Sequence, residues 1–593
     1  MDHVSLCPVC NAVLSRSATR YFDGSKCCVT CRDLAKASKA SLATWFDESK
    51  IAQRRKVNPR FPAAEPSLVR RLIKECGLEG TLEGQEGLNA MAALREKLEH
   101  ELNQGVIRQE RYSLIFSVFR TLDQTYSHDL ERIQGLANLD NRWSMPDAAR
   151  AHSAANLVLG SVVKGLERVL EIAVSQDSGA EGYVTGEHSP VWLSEIATEL
   201  AMTNGAIESY LYLWDKRGKV NVGPERWQLE LTKEDQKRWD NMELHRSEDD
   251  LRHLKMRFDI TLDGPAAEDW VRSLEEIRGG SAAKATDKLG FDIVEFLQTV
   301  DEAHRREFGH AFSEKLLVLL CLPPLRTKLV RNWAFEEEIL GYLNQETRIP
   351  VVTLQAVLRS LSLAREDLLQ EDAHPFELGR KSGLMRRPLP RLDVGAKHAY
   401  LLSIAIIGRC FFNVWSDYVD GTDPSLEHTE TVKLIDHLKQ RYSDYFVTER
   451  IYSKLMEQGY IARYHIEQVG SHDLRGECGE IDILIVGKGQ NKLIVGEAKH
   501  LVNKCISTAQ MRQEKTAYLD PRSGYVAKLR TKLQWVEDHK QEIFDFMGVR
   551  NLSDSFPCIP VFFTNIYTPA SEFIDDIPFI TVYENELWWH KLD

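Results

Sequence analysis

The sequence predicts a multidomain, mostly α-helical chain that begins with a small cysteine-rich module and ends in an α/β domain. A length of 593 residues exceeds what one hydrophobic core organises, since folded units run to about 100–200 residues each. Long stretches rich in Leu, Ala, Glu, Lys and Arg repeat apolar residues at helical spacing. The last quarter, 441–593, instead alternates strand-like apolar runs with helical stretches, the pattern of an α/β layer. Hydrophobic residues at 43% and charged residues at 27% match ordinary soluble proteins and exclude wholesale disorder and fibrous classes.

Charge bounds the partners. A formal net charge of -13 excludes a surface given over wholly to polyphosphate, because nucleic-acid affinity draws heavily on Lys and Arg at phosphates. Any contact with nucleic acid must be local. The apolar runs Leu316–Leu320 and Ala399–Gly408 stop well short of the ~20 residues a spanning helix needs, so no membrane contact is expected. Met1-Asp2-His3 is not a basic start followed by an apolar stretch, so a cytoplasmic location is expected.

Five of the eleven cysteines crowd into residues 7–31. Cys7 and Cys10 form one C-x2-C pair, Cys28 and Cys31 a second. Two such pairs direct four thiolates to one tetrahedral Zn²⁺, and so short a segment holds a fold poorly without metal. Residues 1–35 resemble a zinc ribbon on this spacing. A redox pair or a disulfide fits two pairs in a cytosolic setting less well, and Cys27 beside Cys28 leaves the third ligand open.

Residues 36–164 read as a helical region, with Met91, Leu94, Leu98 and Leu102 on one face. In 165–235, Leu193, Ile196, Ala197 and Leu200 stripe one helix, while Ile207, Leu211 and Trp214 stripe a second. The runs Lys219–Val222 and Arg226–Leu231 flank a Gly223-Pro224 turn. This order of helix, turn, helix and hairpin resembles a winged helix-turn-helix, which implies DNA reading through the second helix and the wing. With only Lys216 and Arg217 basic near the end of that helix, protein contact or scaffolding stays open. Residues 236–375 form a second helical region with joints expected at Gly279–Ser281 and at Pro323-Pro324. Residues 376–440 read as a connecting segment, in which Arg380, Lys381, Arg386, Arg387 and Arg391 either approach phosphate or line a solvated linker.

Chemistry concentrates in 441–593. A helix around Tyr442–Gln458 and a strand near Tyr460–Gln468 precede GEIDILIVG, a polar turn, KLIVGEAKH, a long helical stretch, and the strand-like IPVFFTN and ITVYENELWW. GEIDILIVG and KLIVGEAKH should pair as a hairpin. On strand parity, Glu480, Asp482 and Leu484 share one face, and Leu493, Val495, Glu497 and Lys499 share another. Two carboxylates and an amine then converge at one end of an apolar hairpin. That convergence is costly to bury unless the groups pair internally or hold a cation.

Asp482 and Glu497-Ala498-Lys499 on adjacent strands, with Glu449 on the preceding helix, resemble the signature of the PD-(D/E)xK nuclease superfamily. Ile481 stands where the family's name-giving proline would be. The resemblance implies a restriction-endonuclease-like fold for 441–593. It implies that Asp482 and Glu497, with the Ala498 carbonyl, hold Mg²⁺ or Mn²⁺, that Lys499 orients or helps deprotonate water, and that Glu449 completes the metal shell. Gln513, Lys515, Lys528, Arg530 and Lys532 are candidates for phosphate contact.

The expected function is metal-dependent DNA endonuclease, suited to restriction or anti-phage defence, alone, as a homo-oligomer or with a defence-system partner protein. Repair and recombination enzymes use the same fold, and RNA is a further substrate class. The alternative is a DNA-binding regulator or scaffold with an inactive nuclease-like domain, or GEID and EAK as a surface hairpin with an ordinary salt bridge. No P-loop is present in the sequence, so an intrinsic motor is not expected.

Overall fold

The computed structural model describes residues 19–22, 25–28, 68–107, 111–137, 145–176, 190–223, 227–257, 265–279, 293–329, 331–370, 383–394, 396–419, 421–487, 492–501, 508–549, 556–583 and 587–592. It is mostly helical. Strands β1 (Thr19–Phe22) and β2 (Ser25–Cys28) pair antiparallel between the two cysteine pairs. Cys28 ends β2, whereas Cys7, Cys10 and Cys31 lie outside the described residues.

The first core is helical. After helix Leu68–Cys76 comes β3 (Gly80–Glu83), then helices Gly84–Ile107, Arg111–Ala137, Met145–Ser175 and Pro190–Glu208. Met91, Leu94, Leu98 and Leu102 are all buried in it, as the spacing predicts. Strands β4 (Lys219–Val222) and β5 (Trp227–Glu230) form the expected antiparallel hairpin, and β3 joins its edge.

The helix-turn-helix is not formed. Pro190–Glu208 is one continuous helix that passes straight into a π-helical turn, Ser209–Leu213. The short turn expected between the two apolar stripes is absent, and Thr203 and Asn204 lie buried inside the one helix. Asn204 donates to Glu208 one turn on and accepts from Arg95 of a neighbouring helix, so tertiary packing overrides a local turn signal. A boundary between 164 and 165 also fails, because it cuts the helix Met145–Ser175. A Cβ on Gly165 would stand 2.6 Å from the Ala197 backbone, which locks that helix against Pro190–Glu208.

A second core spans 274–438. Its helices are Pro265–Arg278, Ile293–Phe308, Phe312–Leu329, Glu336–Thr347, Val351–Leu361, Ile404–Val419 and Glu430–Tyr445, while helix Lys233–Arg257 precedes it and Arg365–Leu369 packs Leu368 on the first core. Strands β6 (Trp333–Phe335), β7 (Ser362–Leu363), β8 (Leu389–Val394) and β9 (Lys397–Leu401) form a sheet in the order β6-β9-β8-β7. Gly279 closes a helix as expected, but Pro323 and Pro324 are no joint: they lie inside Phe312–Leu329. Burial of the run Leu316–Leu322 from every side holds the chain helical where proline would otherwise end it.

The segment 376–440 is not a linker either, since Leu389, Leu402, Ile407, Phe411 and Val414 belong to this core. Its basic residues are neutralised: Arg386 pairs with Asp417 at 2.9 Å, Arg387 with Asp367 at 2.6 Å, and Arg391 with Glu366. Arg380 and Lys381 lie outside the described residues.

Helix Glu430–Tyr445 crosses the expected boundary at 440/441 and continues through a π-helical stretch, Phe446–Tyr452, into helix Ser453–Glu457. Then come β10 (Ile461–Ile466), the short strands β11 (Gln468–Val469) and β12 (His472–Asp473), and a helical turn, Leu474–Glu477. Strands β13 (Ile481–Val486) and β14 (Leu493–Lys499) are followed by helices Thr508–Leu519, Tyr525–Asp538 and Lys540–Met547, then β15 (Cys558–Thr564) and β16 (Phe579–Thr581). Trp588-Trp589 belongs to a 3-10 helix, Trp588–Leu592, rather than to a last strand.

The sheet order is β10-β13-β14-β15-β16, antiparallel across the first two pairings and parallel across the last two. Leu484, Val486, Leu493 and Val495 face Tyr518, Leu529 and Val536 of the later helices. Ile483, Ile485, Ile494 and Ala498 face Phe446, Ile451 and Leu455 on the other side. Among the described residues no single helix is long and apolar enough to cross a membrane.

Candidate active site

The hairpin β13–β14 is in register from Val486↔Leu493 to Ile483↔Gly496, which sets Asp482 opposite Glu497 one step further on. There the Asp482 side chain takes over: its Oδ2 accepts the Ala498 N–H at 2.8 Å. On β14, Glu497 and Lys499 share the face of Asp482, and the Lys499 ammonium donates to Glu497 Oε1 at 2.7 Å. Parity therefore places all three where the alternation predicts. The Lys499 ammonium also lies 4.4 Å from the Tyr525 ring centroid, where a cation is held by the ring face.

A fourth group completes the cluster. Lys532, on helix Tyr525–Asp538, donates to Glu497 Oε2 and stands 3.6 Å from Asp482 Oδ1. A candidate for phosphate contact by sequence, it is instead buried. A lysine pointing into the sheet-facing side of a helix is not told from a surface lysine by composition; the helical phase it shares with Leu529, Trp535 and Val536 is the signal available in the sequence.

Two ammonium groups against two carboxylates set the electrostatics. Burial tends to raise the Glu497 carboxyl, but Lys499 and Lys532 outweigh it and hold the group below its ordinary range. Burial also works against the Lys499 charge, and Glu497 and Asp482 overcome it, so Lys499 is held above its usual value. Asp482 is pushed up to about 6 by burial first and by the neighbouring Glu497 charge second. Directly after β14, burial lowers His500, packed near Phe446, to about 4 and keeps it neutral.

Glu449 does not join them. It is exposed on the π-helical stretch, and the residues around it, Phe446, Val447 and Ile451, pack on the face of the sheet opposite Asp482 and Glu497. The inward orientation expected of it is thus corrected. Among the phosphate candidates, Lys515 is committed elsewhere, donating to the Leu213 carbonyl at 2.8 Å and pairing with Asp215 at 3.1 Å. Arg530 pairs with Asp576 at 2.6 Å. Gln513 and Lys528 are exposed.

The donor set fits a hard dication. Carboxylates on neighbouring strands already share one cation, the Lys532 ammonium. Carboxylate oxygens are the donors a hard dication takes, and burial first, with the Glu497 charge second, raises Asp482 to about 6. A polar cavity of about 890 Å³ lies elsewhere, lined by Arg278, Asp301, Arg305, Glu314 and Arg348 among others, and shares no residue with this cluster. Comparison of the chain with protein-family models, with curated proteins and with solved structures gave no match.

Proposed function

We propose that the chain is a metal-dependent DNA endonuclease whose cutting centre is Asp482, Glu497 and Lys499. The observation that carries this reading is the meeting of two strand-borne carboxylates and a lysine on one end of a mixed sheet. Support also comes from the layer order, with a helix before β10, an antiparallel β10-β13-β14 run, then helices leading to the parallel β15. That order is similar to the restriction-endonuclease-like fold of the PD-(D/E)xK superfamily. Restriction of foreign DNA or anti-phage defence suits it, with the zinc-ribbon-like module and the helical regions positioning the substrate.

Asp482, Glu497 and the Ala498 carbonyl would hold Mg²⁺ or Mn²⁺, which when bound supplies Lewis-acid stabilisation of charge on the phosphate oxygens. Lys499 is held protonated by Glu497, so its role is to orient water and stabilise developing negative charge rather than to abstract a proton. Lys532 braces Glu497 from the helix side and fixes the carboxylate that faces the substrate.

A second reading rests on the same lysine. With Lys532 and Lys499 opposing two carboxylates, the cluster is an internally balanced ion-pair network, as a DNA-binding scaffold with an inactive nuclease-like domain would have. Supercoiled plasmid incubated with the full chain in Mg²⁺, and in chelator, separates the two. Cleavage that needs Mg²⁺ and is lost in Asp482→Ala and Lys499→Ala supports the hydrolytic reading. Binding without cleavage by the unaltered chain supports the scaffold.

A further inference from the structure

We infer a second metal site, formed by His472, Glu477 and His539 and suited to a borderline dication such as Zn²⁺. One ligand atom from each lies within 4.8 Å of the others. Tetrahedral bonds of ~2.1 Å put ligand atoms ~3.4 Å apart, so a side-chain adjustment of about an ångström closes the site. The three residues come from β12, from the helical turn Leu474–Glu477 and from the corner between helices Tyr525–Asp538 and Lys540–Met547.

One residue, Trp535, touches all three ligands. The His539 ring nitrogen Nδ1 lies 2.9 Å from the Trp535 carbonyl. A carbonyl only accepts, so Nδ1 carries the proton and Nε2 presents a lone pair. The Trp535 indole N–H donates to Glu477 Oε2 at 2.7 Å, while Oε1 lies 3.2 Å from His472 Nδ1, a separation that two ligands of one ion can have. The same indole stacks on His539 at 4.3 Å and meets His472 edge-on at 5.7 Å. Two imidazoles select a borderline ion over Mg²⁺. Glu477 is exposed and both histidines are half-buried, which leaves room for water as a fourth ligand.

The site would fasten the segment that leads into β13. Glu477 is tied to Trp535, and a Cβ on Gly479 would lie 3.8 Å from Lys532 Cε. Residues 477–479 therefore run along one helix, from the metal ligands to the lysine beside Asp482. Zinc binding here does not depend on the chain hydrolysing anything.

The test is zinc content of the full chain, loaded with Zn²⁺, dialysed, and measured by elemental analysis. The unaltered chain is expected to retain one zinc more than His539→Gln or His472→Gln, with circular dichroism unchanged. Equal content in all three overturns the site. Should the histidine variants fail to fold, Co²⁺ is added to the chain carrying Cys7→Ser, Cys10→Ser, Cys27→Ser, Cys28→Ser and Cys31→Ser, which removes the thiols of the N-terminal module. A visible tetrahedral Co²⁺ spectrum supports the site, and a featureless one overturns it.

Discussion

Asp482 carries a penalty that its neighbours only partly offset. Its carboxyl is raised to about 6 in the fold against about 3.9 unfolded, so the folded state holds the extra proton. Stability is then fully present below about pH 4 and falls as pH rises through about 6. Asp482→Asn keeps an acceptor for the Ala498 N–H and removes the charge. It is expected to stabilise the chain at pH 7 by on the order of 2 kcal/mol and to give no gain at pH 4, measured by thermal unfolding at both values; equal effects at the two pH values would contradict it. The positions of Asp482, Glu497 and Lys499 were legible because strand alternation is a local rule. Lys532 and the orientation of Glu449 were not, because each depends on how a helix docks on the sheet, and no local pattern fixes that.

Two glycines separate local from tertiary control of the elements. Gly496 lies in β14 where a Cβ would stand 2.4 Å from Ile483 Cγ2 and 2.7 Å from the Phe563 ring. Gly496→Ala is therefore expected to destabilise by about 1–3 kcal/mol through overpacking, read as a lower denaturant midpoint. Gly205 is exposed inside the helix Pro190–Glu208 with nothing within 4 Å of its Cβ position. Gly205→Ala should stabilise by roughly 0.5–1 kcal/mol; a loss of stability would instead favour the turn that the sequence suggests. The hairpin β4–β5 was readable from its flanking turn residues, and so was β13–β14. The continuous helix through Asn204-Gly205 and the helical Pro323-Pro324 were not, because burial against distant segments decided them.

At the scale of the whole molecule, the boundaries read from composition are the weakest part of the sequence prediction. The first core joins residues 72–222 to Leu392, Leu401 and Ile406, contacts of high sequence separation that no compositional shift marks. A smaller cluster joins Leu213, Trp214 and Met242 to Met511, with Phe573 and Trp239 packed against it. Trp214 is fully buried there and meets Trp239 at 6.2 Å and Phe573 at 5.8 Å. Trp214→Ala is expected to cost about 3–5 kcal/mol and to split calorimetric unfolding into two steps, one of them the C-terminal sheet; a single unshifted transition would contradict this. The same cluster governs how the C-terminal quarter behaves when cut away. A fragment starting near 441 would bare Met511 and Phe573 to water, so it should self-associate and bind hydrophobic dyes, whereas adding the 190–257 region in trans should restore a monodisperse particle.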